Sequence, residues 1–367
     1  MKKIISLLLV CIFLLTACVG LVSCGDGNTD DPTVTTDPNG ENPDNGGDEV
    51  SNFPLPDDLL EGHTPTDTKY FKFKVVDEEK GTAKISGFYT DIPADVVLPI
   101  EVEMNGKKYK ITELGDSALA QAAVETVYIP YSVTKMGKYV FSGCPNLTSV
   151  SIPTTITKIN DGTFANCTDL ATVDFIPASV TSIGERAFEG CKANSITIPD
   201  SVKKIGAYAF LDCAYIDTVT IPANITEIPD DCFNGCQYLN NVVLPDTVKS
   251  IGKNAFKGCK RMTNFTMGNG VEIIGDSAFA DCSNMTKFAL TDSVKSIGTL
   301  VFDGCRKIKD FRMSANAELT IAEKMFGADT SKYKLANIYC APGSAAETWC
   351  KDNGLGDKVK DLATYAG

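Results

Sequence analysis

Ile176-Pro177-Ala178-Ser179-Val180-Thr181-Ser182-Ile183-Gly184-Glu185-Arg186-Ala187-Phe188-Glu189-Gly190-Cys191 decides the fold, because the chain writes this sentence again and again. The next copy runs from Ile198-Pro199 to Phe210-Leu211-Asp212-Cys213. Phenylalanine followed three residues later by cysteine recurs at Phe141/Cys144, Phe164/Cys167, Phe188/Cys191, Phe210/Cys213, Phe233/Cys236, Phe256/Cys259, Phe279/Cys282 and Phe302/Cys305. Successive phenylalanines are 23, 24, 22, 23, 23, 23 and 23 residues apart. The one long interval precedes the one short interval, so an extra residue in Asp174-Phe175-Ile176-Pro177 and a missing one near Ala193-Asn194 cancel in register. A fixed period of this length is the signature of stacked structural repeats. Weaker copies with Leu119 and Phe326 in the phenylalanine position bring the series to about ten coils of about 23 residues.

Each coil divides into three parts. Leu147-x-x-Val150-x-Ile152 alternates apolar and polar residues, the period of a half-buried strand. Pro153 removes a backbone donor and ends that strand. Ile156-x-x-Ile159 follows, with glycine after the second isoleucine in sibling coils (Gly184, Gly206, Gly252, Gly275, Gly298), a turn signal. The Ala-Phe-x-x-Cys segment is too short for more than a helical turn. One coil cannot bury its apolar face alone, whereas stacked coils form a continuous core of identical positions. The fold class expected is therefore a repeat solenoid, mainly β, with a parallel strand ladder and short helical turns. At about 4.8 Å between neighbouring strands, ten coils make a rod of roughly 45–50 Å.

The Ile-Pro-x-Ser-Val-Thr-x-Ile-Gly-x-x-Ala-Phe-x-x-Cys pattern resembles the BspA-like leucine-rich repeat family of bacterial surface lipoproteins. The resemblance covers about residues 70–353. Within it, Ala83-Lys84-Ile85-Ser86-Gly87 and Val97-Leu98-Pro99 look like opening strands, and Ile338-Tyr339-Cys340-Ala341-Pro342-Gly343-Ser344 looks like the closing strand and cap. It implies a leucine-rich repeat solenoid used for adhesion to host or neighbouring-cell ligands.

The N-terminus reads as a targeting signal: Lys2 and Lys3, then an apolar run from Ile4 to Leu15 that is too short for a membrane span of about 20 residues. Leu15-Thr16-Ala17-Cys18 and Leu21-Val22-Ser23-Cys24 both resemble the bacterial lipobox. Cys24 is the preferred lipidation site because polar chain begins directly after it; Cys18 is the alternative. From Gly25 to Gly62 the chain holds eleven Asp or Glu and no Lys or Arg. The net charge of −13 therefore belongs largely to this segment, and the remaining chain past Lys3 is nearly balanced, with 36 acidic against 32 basic residues. So acidic and apolar-poor a stretch reads as a disordered tether. Asp26-Gly27-Asn28-Thr29-Asp30-Asp31 hints at a calcium loop but lacks glycine at its sixth position and glutamate at its twelfth, where Asp37 stands. The organisation expected is a signal peptide over 1–24, a tether over 25–65 and an N-terminal capping segment over 66–114. The solenoid then runs over 115–335 and a C-terminal cap over 336–367.

Nothing in the repeats points to catalysis, a cofactor or a metal. The sole histidine, His63, precedes the repeats, so a Ser-His-Asp triad or a His-based zinc site within them is excluded. One cysteine per coil gives no chelating pair. Stacked cysteines would also sit about 4.8 Å apart, outside the Cβ separation of about 3.5–4.5 Å that a disulfide needs, so they read as a buried ladder of thiols. Cys340 and Cys350 are left as the candidate disulfide. Asp200, Asp246 and Asp292 precede the Ser/Thr-Val step and suit turns. The binding surface expected is the outward side of the first strands. Its candidate residues are Tyr128, Ser151, Asp174, Thr197, Thr220, Asn241, Asn264, Lys287 and Arg312. Such a face suits an unknown host or microbial surface protein or polysaccharide, with no basic footprint for nucleic acid. We expect a monomer, exported and held at the bacterial surface by lipid alone. The other function compatible with this pattern is a glycan- or peptide-capture lipoprotein of a nutrient-uptake system.

Overall fold

The computed structural model describes residues 63–173, 175–327 and 329–365. Cys18, Cys24, the tether residues up to Gly62 and Asp174 lie outside them, as does the Asp26–Asp37 loop. The repeats form a β-solenoid of about 11 turns of ~23 residues, mostly strand with little helix. The expected solenoid is thus present, with strands from both capping segments joining the ladder.

Two parallel ladders run through the coils. The first is built from the Leu-x-x-Val-x-Ile step, in three consecutive sheets. Asp95–Val97, Thr126–Tyr128 and Ser149–Ser151 make one; Thr172–Val173, Ser195–Ile196, Thr218–Val219, Asn241–Val243 and Asn264–Thr266 the next. Lys287–Ala289, Asp310–Arg312, Asn337–Cys340 and Val359–Asp361 complete it. Pairing is in register, residue for residue, as in Lys287↔Asp310 and Phe288↔Phe311. The first interruption falls at the coil carrying the extra residue near Asp174. The second falls after Asn264–Thr266, in the coil where Met267-Gly268 replaces Ile-Pro. The second ladder uses the short x-Ile steps, such as Lys158–Ile159, Ser182–Ile183 and Lys204–Ile205.

The third side of each coil is a turn, not a helical one. Backbone two residues before and two residues after each core phenylalanine is left-handed, for example at Arg186 (φ 56°) and Gly190 (φ 69°) around Phe188. This conformation aims the Phe N–H along the stack: Phe164 donates to the Ala187 carbonyl and Phe188 to the Ala209 carbonyl, both at 2.8 Å. The eight phenylalanines of the Phe-x-x-Cys steps, Phe141 to Phe302, are fully buried and stacked, with neighbouring ring centroids 5.3–5.6 Å apart. Aromatic pairs at this spacing contribute about 0.5–1.5 kcal/mol each beyond the area they bury.

The polar letters of the repeat are explained by the coil next door. Seven ladder thiols donate to the phenylalanine carbonyl one coil back, as Cys167 to Phe141 (3.1 Å) and Cys213 to Phe188 (2.9 Å), and the first, Cys144, donates to Leu119 in the same position. The eight ladder cysteines are free and buried. The Ser or Thr before valine donates back likewise, as Ser179 to Ile156 and Ser201 to Val180, both at 2.7 Å. Asp246 and Asp292 accept backbone N–H groups from the following coil, Asn269 at 2.7 Å and Ala315 at 2.9 Å, so they tie coils together rather than closing their own turn. The recurrent glycines, too, have a reason other than turn flexibility. Gly206 lacks the left-handed φ, but a Cβ there would stand 2.4 Å from the Glu185 backbone nitrogen of the preceding coil. Close approach between coils, not conformational freedom, requires glycine.

Both ends are closed differently. Phe71–Asp77 pairs antiparallel with Thr82–Phe88, which runs parallel to Lys107–Leu114. Glu101–Met104 forms a hairpin with Lys107–Leu114 around Asn105-Gly106, both left-handed as such two-residue turns demand. At the other end a helix, Ala345–Asp352, starts from Ser344, whose side chain accepts from Glu347 N–H, while Glu347 accepts in return from Gly343 N–H. Trp349 donates its indole N–H to the Ala322 carbonyl at 3.2 Å and packs against Phe326. Cys340 and Cys350, the candidate disulfide, are free buried thiols whose sulfurs lie 3.8 Å apart between the closing strand and this helix.

Candidate binding face

Alternation along the first strands sends one set of side chains inward and the flanking pair outward. Ser151, Thr197, Thr220, Asn241, Asn264 and Lys287 are exposed, each beside a residue of the core. Their neighbours repeat them one coil away, so the face is a set of columns. Within one column Asn264 donates its side-chain amide to Asn241 at 2.9 Å. In the next sheet Asn337 does the same to the Asp310 carboxylate at 2.7 Å.

Two of the residues singled out from sequence are only half exposed. Tyr128 has the His63 ring stacked on it at 5.1 Å, and burial, then Tyr131, raises its phenol above the usual value. Arg312 reaches back one coil. Its guanidinium makes two bonds to the Asp292 carboxylate, at 2.9 and 3.1 Å, and a short one to the Leu290 carbonyl. Nη2 alone meets both carboxylate oxygens while Nη1 takes the carbonyl, which holds the guanidinium in place and cancels its charge locally. Lys287 stands exposed beside it and forms no ion pair within the described residues.

A depression of about 790 Å³ opens on this face where the first ladder is interrupted. Asn264, Lys287 and Arg312 stand on its walls; Phe265 and Met267 lie at its floor, and Tyr365 comes in from the C-terminal cap. Its position follows from sequence. Met267-Gly268-Asn269-Gly270 replaces the usual Ile-Pro-x-Ser, and the glycines let this coil approach its neighbour. A Cβ on Gly270 would stand 1.8 Å from the Asp246 carbonyl oxygen. The structure thus groups Asn264, Lys287 and Arg312 around one hollow, and leaves Ser151, Thr197 and Thr220 on the flatter columns before it. Reading strands alone missed Tyr365 and Asp292; the sequence signal for the hollow was the lost Ile-Pro.

A second trough, about 680 Å³, lies on the other ladder, lined by Lys158, Ser182, Lys204 and Glu227 with the backbone of Gly184, Gly206 and Gly252. Its charges are mixed, Lys158 and Lys204 among Asp161, Glu185, Glu227 and Asp230. Among the described residues no group of three or more His, Cys, Asp or Glu is arranged to hold a metal ion, and no helix is long and apolar enough to cross a membrane.

Comparison with known proteins agrees with this architecture. A leucine-rich repeat protein from Bacteroides ovatus shares 27% identity and a TM-score of 0.68, over 76% of this chain and 71% of its own. The T. pallidum leucine-rich repeat protein shares 27% identity with a TM-score of 0.47, over 54% of this chain and 91% of its own. No match is found among curated proteins. The sequence profile described as "BspA type Leucine rich repeat region (6 copies)" matches residues 102–176, 168–253 and 226–339. With that profile spanning more than half of the chain, and with its ladders, stacked phenylalanines and thiol bonds repeating at the same period, the chain belongs to the BspA-type leucine-rich repeat family, a protein-interaction scaffold.

Proposed function

We propose that this protein is a bacterial surface adhesin whose first-ladder face grips a host or neighbouring-cell protein or polysaccharide. The hollow around Asn264, Lys287 and Arg312 is the observation that carries the reading. It combines an apolar floor with a few convergent polar groups, the composition of ligand sites in general. Two of its wall strands, Lys287–Ala289 and Asp310–Arg312, pair in register, so little ordering of that wall has to accompany binding, which favours affinity. The lipobox sequence supports anchoring through Cys24, and the acidic segment behind it supports presentation of the repeats away from the membrane. Metabolic labelling with a lipid precursor in wild type, Cys18→Ala and Cys24→Ala tests the anchor: label lost only with Cys24→Ala is expected.

Binding is tested with the full chain on arrays of matrix proteins and glycans, wild type against Asn264→Ala/Lys287→Ala. Saturable binding to a matrix protein, weakened at least tenfold in the variant, is the expected result. Selective binding of oligosaccharides alone would replace adhesion with capture for nutrient uptake. Equal binding by the variant would remove the hollow from either reading.

A further inference from the structure

The link between each cysteine and its first strand changes character along the chain. In the five coils from Cys144 to Asn241 these links hold one basic residue, Lys192, and two acidic ones, Asp169 and Asp217. In the four coils from Cys259 to Asn337 the links, counted through the first residue of the strand, hold Lys260, Arg261, Lys287, Arg306, Lys307, Lys309, Lys332 and Lys334 against Asp310 and Asp329. All eight cations are exposed. Local pairing does little to neutralise them. Lys332 pairs with Asp329 at 3.4 Å, but Lys260, Arg306, Lys309 and Lys334 make no ion pair within the described residues. Asp310 is already occupied by Asn337.

Stacking orders these charges. Arg261 N–H bonds to the Gln237 carbonyl, Lys309 N–H to Thr286 and Lys334 N–H to Arg306, so the links lie one above another like the strands they feed. Across three coil steps of about 4.8 Å, the cations follow a line of roughly 14 Å along the edge of the binding face. Arg261 is spread over the Tyr238 ring at 4.3 Å, whose other side faces Tyr215 at 5.6 Å. Both rings stay partly open, Tyr215 at 48% and Tyr238 at 41% exposure, so an aromatic pair borders the charged edge at its first coil.

We infer that this edge binds an acidic polysaccharide laid along the stacking direction, its carboxylate or sulfate groups meeting successive coils. A polymer of anionic sugar rings carries charge at regular intervals and needs no apolar pocket, which matches a repeating row of lysine and arginine. A nucleic-acid duplex would ask for a groove-sized element that the edge lacks. The inference goes beyond the strand-face reading and does not depend on it.

The test uses the full chain with heparin and polygalacturonate as probes, dextran as the uncharged control, and a DNA duplex and anionic vesicles as rival polyanions. Wild type is expected to bind both acidic polymers at low salt and to ignore dextran. Lys260→Glu/Arg306→Glu/Lys309→Glu is expected to lose at least about tenfold, and affinity should fall linearly with salt on logarithmic axes, as counterion release dictates. Because charge reversal of three sites can disturb folding, Arg306→Gln and Lys309→Gln are measured singly; each should lower the salt slope by about one. Asn264→Ala/Thr266→Ala, on the strand face, should leave heparin binding unchanged, which separates failure here from failure of the adhesin reading. No binding of heparin by folded wild type, unaltered binding by the three-site variant, or tighter binding of the duplex or vesicles would overturn the inference.

Discussion

The coils up to Asn241–Val243 and those from Asn264–Thr266 onward share one backbone plan but spend their side chains differently. In the earlier coils the central inward residue of the first strand is Val127, Val150, Val173, Ile196, Val219 or Val242, and the outward columns are mostly serine and threonine. In the later coils Phe265, Phe288 and Phe311 take the central place. They stack on each other at 5.6 and 5.7 Å and meet the Phe279, Phe302 and Phe326 rings edge-on at 4.7–5.2 Å. Over this doubled aromatic core lie the interrupted ladder, the hollow and the basic edge. The repeat therefore sets the scaffold, and both proposed binding features lie where the repeat is varied.

Alkaline titration should separate the two regions most strongly. Burial pushes up the thiols of Cys144 (to about 11), Cys167, Cys191, Cys213, Cys232 and Cys236 in the earlier coils, and of Cys259 and Cys282 later. An unfolded thiol ionises near 8.5, so above that pH the unfolded chain holds fewer protons than the folded one. The contribution of each thiol is complete below pH 8.5 and falls by about 1.4 kcal/mol per pH unit as pH rises toward the folded value. The earlier coils should unfold first. Loss of far-UV dichroism before any change in Trp349 fluorescence, which reports the C-terminal cap, is the expected order; simultaneous loss would show that the whole stack melts as one.

Core truncation should follow next in size. Phe188→Ala removes a ring stacked on Phe164 and Phe210, whereas Phe279→Ala also empties the space between Phe265 and Phe288. Both should cost about 3–5 kcal/mol in denaturant unfolding, with the Phe279 change larger. Gly206→Ala and Gly298→Ala should each cost about 1–3 kcal/mol, because the new Cβ would meet the preceding coil's backbone in both regions. Equal penalties there would show that the glycine column is common scaffold. The smallest effect is a gain. Leu300 sits at φ 55° on the turn before Phe302, and Leu300→Gly should stabilise by up to about 1 kcal/mol, read as a raised Tm.

Period and composition made the solenoid legible, since eight copies of Phe-x-x-Cys in register leave little choice of fold. The thiol ladder was legible for the same reason, although its hydrogen-bond acceptor was not: the Phe carbonyl that takes the S–H belongs to another coil, about 26 residues away. The glycine column was misassigned to turns because sequence shows a missing side chain without showing what approaches it. Of the candidate face, Asn264 and Lys287 were found by alternation alone. The hollow that gathers them depends on Gly270 settling against Asp246, and on Tyr365 returning from the cap nearly a hundred residues later, neither of which alternation can report.

The back-bonding serine has a further consequence. Thr155, Ser179, Ser201, Thr247 and Ser293 each find a carbonyl in the coil before them, while the hydroxyl of Ser132, first of the series, is buried with no hydrogen-bond partner among the described residues. Each unit therefore supplies what the next one needs and asks only for another like itself. A chain made this way can gain or lose whole units of about 23 residues without leaving such a bond unmatched in its interior.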